Sequence, residues 1–194
     1  MVERVYLDAC CFVELAKGKF GKALVEDGKH LWYLQALLRA SRAGKLEVFT
    51  STISISECVT VGDGPPSPEV QQLFMGMLTS GRGGVLLVQP DLWVVERARD
   101  LRWKHEINLG SPDNIHVASA LEAGCTEMVT LDGLSGKRKS ILAAAERLKA
   151  LGLRVAAPCD TALIPDAFRQ EQMELREQQR ASEAVQARAP DPQA

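Results

Sequence analysis

Aromatic residues are scarce in this 194-residue chain, at 5%, which argues against a stacking platform for the bases of a single-stranded nucleic acid. An excess of basic charge is missing too. The formal net charge is −2, so any contact with phosphates has to be local or carried by metal ions. The five cysteines, Cys10, Cys11, Cys58, Cys125 and Cys159, are odd in number and form no Cys-x-x-Cys pair. That speaks against a disulfide framework and against a zinc site, and leaves buried free thiols as the plain reading. Apolar runs long enough to span a bilayer are also lacking. The opening residues, with Glu3 and Arg4 inside a strand-like run, have neither the basic region nor the apolar stretch of a signal peptide. The expectation is a cytoplasmic protein without membrane association.

What the chain does have is an ordinary globular composition, 46% hydrophobic and 25% charged, at a length that fits one domain with an extension. Short β-prone runs recur at 2–7, 46–50, 85–88, 127–131 and 153–157. Between them, Leu31, Leu34, Leu37, Leu38 and Ser41 share one helical face, as do Val94, Ala98 and Leu101, and later Ile141, Ala145 and Leu148. Strands alternating with helices imply right-handed crossovers and a mainly parallel sheet of about five strands covered on both faces. This is a three-layer α/β/α arrangement. The body is assigned to residues 1–160. Turn-rich sequence marks 62–84 as a flexible insertion carrying a short helix at 69–79, and 161–194 reads as a polar, weakly amphipathic helix with a disordered end, ordered by a partner or a second subunit.

Ligands of parallel sheets collect beyond the carboxyl ends of the strands. Asp8 closes the first β-prone run and Asp132 the fourth, so both should project at that rim. Asp113 follows Ser111 and Pro112, which suit the cap and first turn of a helix, and Glu57 lies in Ser-Ile-Ser-Glu. Crowded carboxylates repel one another, a penalty that a bound divalent cation removes. Oxygen-only ligation selects Mg²⁺ or Mn²⁺.

Each acid also has a plainer explanation. Asp113 near a helix start complements the macrodipole, worth roughly 0.3 to 1 kcal/mol. Glu57 stands three residues after Ser54, as in a capping box, and Asp8 and Asp132 could be ordinary loop residues past strands. Taken together these explanations weaken, because they need several independent acids to reach one rim by chance. His116, one turn beyond Asp113, reads as a satisfied, partly buried side chain or as a group orienting Asp113. The stretch Arg97, Arg99, Arg102, Lys104 and His105 suits a solvated helix face. Lys137, Arg138 and Lys139 lie near enough to Asp132 in sequence to touch phosphates. A phosphotransferase-like use of Asp8 as nucleophile would need a second early acid, which Asp8-Ala-Cys-Cys lacks.

The ordered set Val-Tyr-Leu-Asp8, Ser-Ile-Ser-Glu57, Ser-Pro-Asp113-Asn-Ile-His-Val-Ala-Ser-Ala and Val-Thr-Leu-Asp132 resembles the PIN-domain ribonucleases, especially the toxins of bacterial toxin–antitoxin pairs. The likeness covers roughly residues 2–157. It implies a PIN-like fold, Mg²⁺ or Mn²⁺ held by Asp8, Glu57, Asp113 and Asp132, and endonucleolytic cleavage of RNA. It also implies a supporting hydroxyl at Thr130, a homodimer, and inhibition by a small antitoxin whose tail enters the groove. One departure stands out. Where the family has Asp-Thr-Asn this chain has Asp8-Ala9-Cys10, removing the polar residues expected to brace the first carboxylate. A catalytically weak or inactive PIN-like scaffold is the alternative that this departure favours.

Overall fold

The computed structural model of the protein describes residues 2–20, 28–62, 66–81, 83–136 and 139–186. Five strands, β1 (Arg4–Leu7), β2 (Glu47–Ser51), β3 (Val85–Val88), β4 (Glu127–Val129) and β5 (Arg154–Ala156), pair in the order β3-β2-β1-β4-β5, every pair parallel. The five expected runs are the five strands, each shortened or shifted by a few residues at most.

The central strand shows why the sheet needs two covers. Val5, Tyr6 and Leu7 are all buried, and their side chains alternate across the pleat. Val5 and Leu7 join a core built with α1 (Ala9–Lys19), α2 (Gly28–Arg42) and α4 (Pro68–Leu78). Tyr6 joins a second core with α5 (Leu92–His105), α6 (Ser111–Glu122) and α7 (Ala145–Ala150). A strand buried on both faces cannot alternate polar with apolar, so the sheet is read from its continuous apolar runs.

Helix α4 falls in the stretch expected to be a flexible insertion, yet Val70, Phe74, Met77 and Leu78 are buried in the first core. Of the joints expected at 62–68 and 81–84, residues 63–65 and 82 lie outside the described residues. The polar C-terminal sequence forms α8 (Asp166–Gln186). It is fastened to α2 by an Arg39–Glu171 ion pair at 3.1 Å and by the Arg169 guanidinium lying over the Tyr33 ring. The expected disordered end, at 187–194, is likewise outside the described residues.

Strand order places the functional rim. From β1 the chain moves outward through β2 and β3, then returns to the other side of β1 for β4 and β5. The connections leaving β1 and β4 therefore diverge to opposite faces, and a crevice opens between the carboxyl ends of these two strands. Leu7 and Val129 are in register, so Asp8 and Thr130 emerge side by side.

Candidate active site

Asp8 is the first residue past β1 and the N-cap of α1. Its extended backbone (φ −68°, ψ 156°) lets Oδ1 accept from the Ala9 N–H at 2.8 Å. Its own N–H continues the sheet ladder to the Val129 carbonyl at 3.1 Å. Oδ2 accepts from the Thr130 hydroxyl at 2.7 Å and from the Cys10 thiol at 3.0 Å. With 6% of its surface exposed, Asp8 is a buried carboxylate whose orientation is fixed by three donors. The bracing that Asp8-Ala9-Cys10 was expected to lose is thus supplied. Cys10 Sγ donates to Asp8 and accepts from the Leu131 N–H at 3.2 Å, which ties the end of β4 to the start of α1. A thiol is a weak donor, so the Thr130 hydroxyl is the stronger of the two braces.

Thr130 binds two acids at once. While its hydroxyl donates to Asp8, its oxygen accepts from the Asp132 N–H at 3.0 Å. The Asp132 carboxylate accepts in turn from the Ile141 N–H at 3.0 Å, closing the loop ahead of the 3₁₀ turn at Leu142–Ala144. Gly133 makes that closure possible. Its φ is +107°, and a Cβ there would collide with the Ser140 side chain.

Asp113 occupies the third position of α6. The N-cap is Gly110, one residue earlier than the Ser111 cap suggested by sequence, with Pro112 in the first turn. A glycine offers no side chain to cap with, and Asp113 does the reciprocal half of a capping box by folding back to accept from the Gly110 N–H. A Cβ at position 110 would stand 3.1 Å from Asp113 Oδ2. The acid strength of Asp113 is lowered first by burial and then by the charges of Asp132 and Asp8, which outweigh the Gly110 bond and His116 in raising its pKa. The three aspartates thus share one electrostatic environment.

Glu57 arrives from the opposite side, in the single-turn α3 (Ser54–Glu57) that follows β2. The Ser54–Glu57 capping box does not form. Ile53 precedes the helix without a side-chain cap bond, Ser54 Oγ pairs with Thr50 Oγ1 at 2.7 Å, and Glu57 Oε2 lies 2.7 Å from His116 Nε2. His116, 1% exposed, is more deeply buried than its sequence suggested. It faces Glu57 and Asp8, with Nε2 at 3.7 Å from Asp8 Oδ1, and Nδ1 meets Tyr6 Oη at 2.7 Å. Tyr6 was not singled out from sequence. The available signal was a hydroxyl-bearing ring in the middle of an otherwise apolar strand, where a buried phenol needs a partner.

A protein-family model described as the PIN domain matches residues 5–133. The chain belongs to the PIN-domain family. The match runs from β1 to the residue after Asp132 and so spans all four acids. Among solved structures the chain is similar to FitAB bound to an IR36 DNA fragment, with a TM-score of 0.50 and 15% identity over 81% of this chain and 96% of that one. FitAcB from Neisseria gonorrhoeae gives 0.46 and 15%, over 81% and 99%. The first likeness bears on the PIN fold alone. No curated protein matches the chain.

PIN domains are in general nucleases that use divalent metal ions. The donors gathered here suit such an ion in kind, being carboxylate oxygens, and the raised pKa of Asp113 beside Asp132 and Asp8 marks a surplus of negative charge that a cation would relieve. Among the described residues, however, no group of three or more His, Cys, Asp or Glu side chains forms a ready metal cage. The aspartates meet through their fields and through Thr130. Glu57, engaged by His116, stands apart from Asp113 and Asp132 in the bonding pattern.

Of the basic groups expected near phosphate, Lys137 and Arg138 lie outside the described residues. The α5 stretch is a solvated face whose charges pair locally, Arg97 with Glu122 at 3.4 Å and Lys104 with Asp100 at 2.6 Å. The buried thiols behave as core groups. Burial pushes the pKa of both Cys58 and Cys125 up to about 12.

Proposed function

We propose that the chain is a divalent-metal-dependent endoribonuclease in which Asp8, Asp113 and Asp132 hold Mg²⁺ or Mn²⁺, and Glu57 helps fix an ion or orient the attacking water. The observation that carries this reading is the meeting of Asp8 and Asp132 on one hydroxyl, Thr130, past the carboxyl ends of β1 and β4, with Asp113 close enough for their charges to raise its pKa. A divalent ion supplies there the activation of a water nucleophile and the neutralisation of charge on the leaving oxygen of the phosphodiester. The protein's own contribution is orientation. Thr130, Cys10 and Ala9 hold Asp8, the Ile141 N–H holds Asp132, the Gly110 N–H holds Asp113, and His116 holds Glu57.

The likeness to toxin members of the family supports a toxin role, with a small antitoxin protein as partner, a homodimer as the assembly and the cytoplasm as the compartment. No described helix is long and apolar enough to cross a membrane. A second reading, a PIN-like scaffold with little or no catalysis, draws on the open arrangement of the acids among the described residues.

Incubating the purified protein with labelled RNA and Mn²⁺ separates the two. Nuclease action requires cleavage that stops with chelator and in both Asp8→Asn and Asp113→Asn. Cleavage that survives both substitutions rules out this site, and an inert wild type favours the scaffold.

A further inference from the structure

Tyr6 and His116 are among the most deeply buried polar side chains of the molecule, and they face each other edge to face across the second core, ring centres 5.8 Å apart. The inference rests on the proposed acid site and concerns how one of its members is held.

His116 Nε2 looks toward two carboxylate oxygens, Glu57 Oε2 at 2.7 Å and Asp8 Oδ1 at 3.7 Å. An ionised carboxylate only accepts, so Nε2 must carry a hydrogen. In a neutral imidazole Nδ1 is then an acceptor, and its partner at 2.7 Å, Tyr6 Oη, must donate. Glu57 needs such an anchor. Its helix is one turn of four residues without a side-chain cap bond, and its side chain is 34% exposed, so neither packing nor a longer helix restrains it.

We propose that Tyr6 and His116 form a buried positioning arm, with Tyr6 donating to Nδ1 and Nε2 donating to Glu57, that fixes the Glu57 carboxylate beside Asp8. The arm runs from the central strand through α6 to α3. Both residues are positioning residues. A merely structural pair would fill the same core but leave Glu57 indifferent to it.

The full-length chain labelled with ¹⁵N-histidine tests the arm directly, through two-bond ¹H–¹⁵N spectra. The His116 signals, identified by their loss in His116→Gln, are expected to show a protonated Nε2 and an acceptor Nδ1. Glu57→Gln should move the Nε2 resonance and Tyr6→Phe the Nδ1 resonance. An unprotonated Nε2, or resonances unmoved by Glu57→Gln, overturns the arm.

Calorimetric titration with Mn²⁺ gives a second readout. His116→Phe should weaken binding about tenfold, the scale of losing a group that orients a ligand, and Glu57→Gln should add little to it because both remove one tether. His116→Gln, whose amide nitrogen can stand in for Nε2, should recover most of the loss. Losses that multiply in the double variant count against the arm. Absence of Mn²⁺ binding by the wild type would sink the metal-dependent reading instead, leaving the spectra to decide on the arm.

Discussion

The two ends of β4 each carry buried acidic chemistry, and they are solved in opposite ways. At the amino end Glu127, 2% exposed, receives the Arg154 guanidinium, the Thr161 hydroxyl and the Ala162 N–H. At the carboxyl end Asp8, Asp113 and Asp132 gather beyond the strands, and among the described residues no Lys or Arg forms an ion pair with any of them. Glu127 has its counter-charge built into the chain, and the result is a tie between β4, β5 and the 160–162 segment. The aspartates have donors enough to fix their directions but not enough charge to balance them, which shows in the raised pKa of Asp113. A buried acid with a matched cation reads as architecture, and a buried acid with two half-buried ones in its field reads as a place left for something positive.

The largest effect that would sharpen this contrast lies in catalysis. Asp8→Asn or Asp113→Asn should reduce Mn²⁺-dependent RNA cleavage on the order of 10²-fold or more, the scale of losing one preorganised electrostatic group. Glu127→Gln in the same assay should cleave like wild type at a temperature where it is folded. Equal losses in all three would erase the distinction between the two ends.

Stability should respond in the reverse order. Glu127→Ala strands buried donors and the Arg154 charge, and urea denaturation should register a loss of about 3 kcal/mol, toward the low end for a broken buried pair because Arg154 is half-exposed. A loss below about 1 kcal/mol would show that the amino-end acid is not a structural tie.

Thr130→Val sits between the two cases, since it removes one hydroxyl serving both Asp8 and Asp132. Denaturation should show a loss of about 1 to 3 kcal/mol, and Mn²⁺ affinity should fall about tenfold. Cys10→Ala should cost less in both, because a thiol is the weaker donor.

The smallest effect is a pH dependence. The folded-state pKa of Asp113 lies above the ordinary 3.8, so the folded chain holds this proton to higher pH than the unfolded chain does. Its contribution to stability is full below the ordinary value and is lost as pH rises through the raised one. Without metal, Asp113→Asn should therefore be the more stable protein above that window, with the gap closing as pH falls toward 3.8. Melting curves from pH 3.5 to 7 check the sign, and a variant less stable than wild type throughout would contradict it.

Much of the architecture was legible because parallel strands buried on both faces leave short apolar runs. Residues 85–88 were readable to the residue, and α5 could be seen in the spacing of Val94, Ala98 and Leu101. Helix α1 was not, because Ala9-Cys10-Cys11-Phe12 continues the apolar character of β1 without a break and the cap between them is Asp8 itself. Helix α4 lies within a residue of the short helix expected at 69–79, but its burial was not legible. Its turn-rich flanks are local signals, whereas the burial of Phe74 and Met77 against the first core is a long-range one. At the rim, Asp8, Thr130 and Asp132 could be placed past their strands from their order along the chain. Tyr6 was hidden as one more strand residue, Cys10 looked like a loss when it is a brace, and His116, readable as a satisfied side chain, is satisfied by residues 59 and 110 positions away that its spacing could not name.

By itself the sequence determined the fold class, the run of strands and helices, and the placement of Asp8 past the first strand and Asp132 past the fourth. These follow from local pattern and from the rule that parallel strands expose their ends at a common rim. Only the tertiary structure decided which donor serves which acid: Thr130 shared between Asp8 and Asp132, Cys10 turned onto Asp8, and Tyr6 and His116 reaching Glu57. Such pairings depend on the strand order β3-β2-β1-β4-β5, which brings together residues more than a hundred positions apart, and hydrogen bonds a few ångströms long are fixed by that packing and not by spacing along the chain.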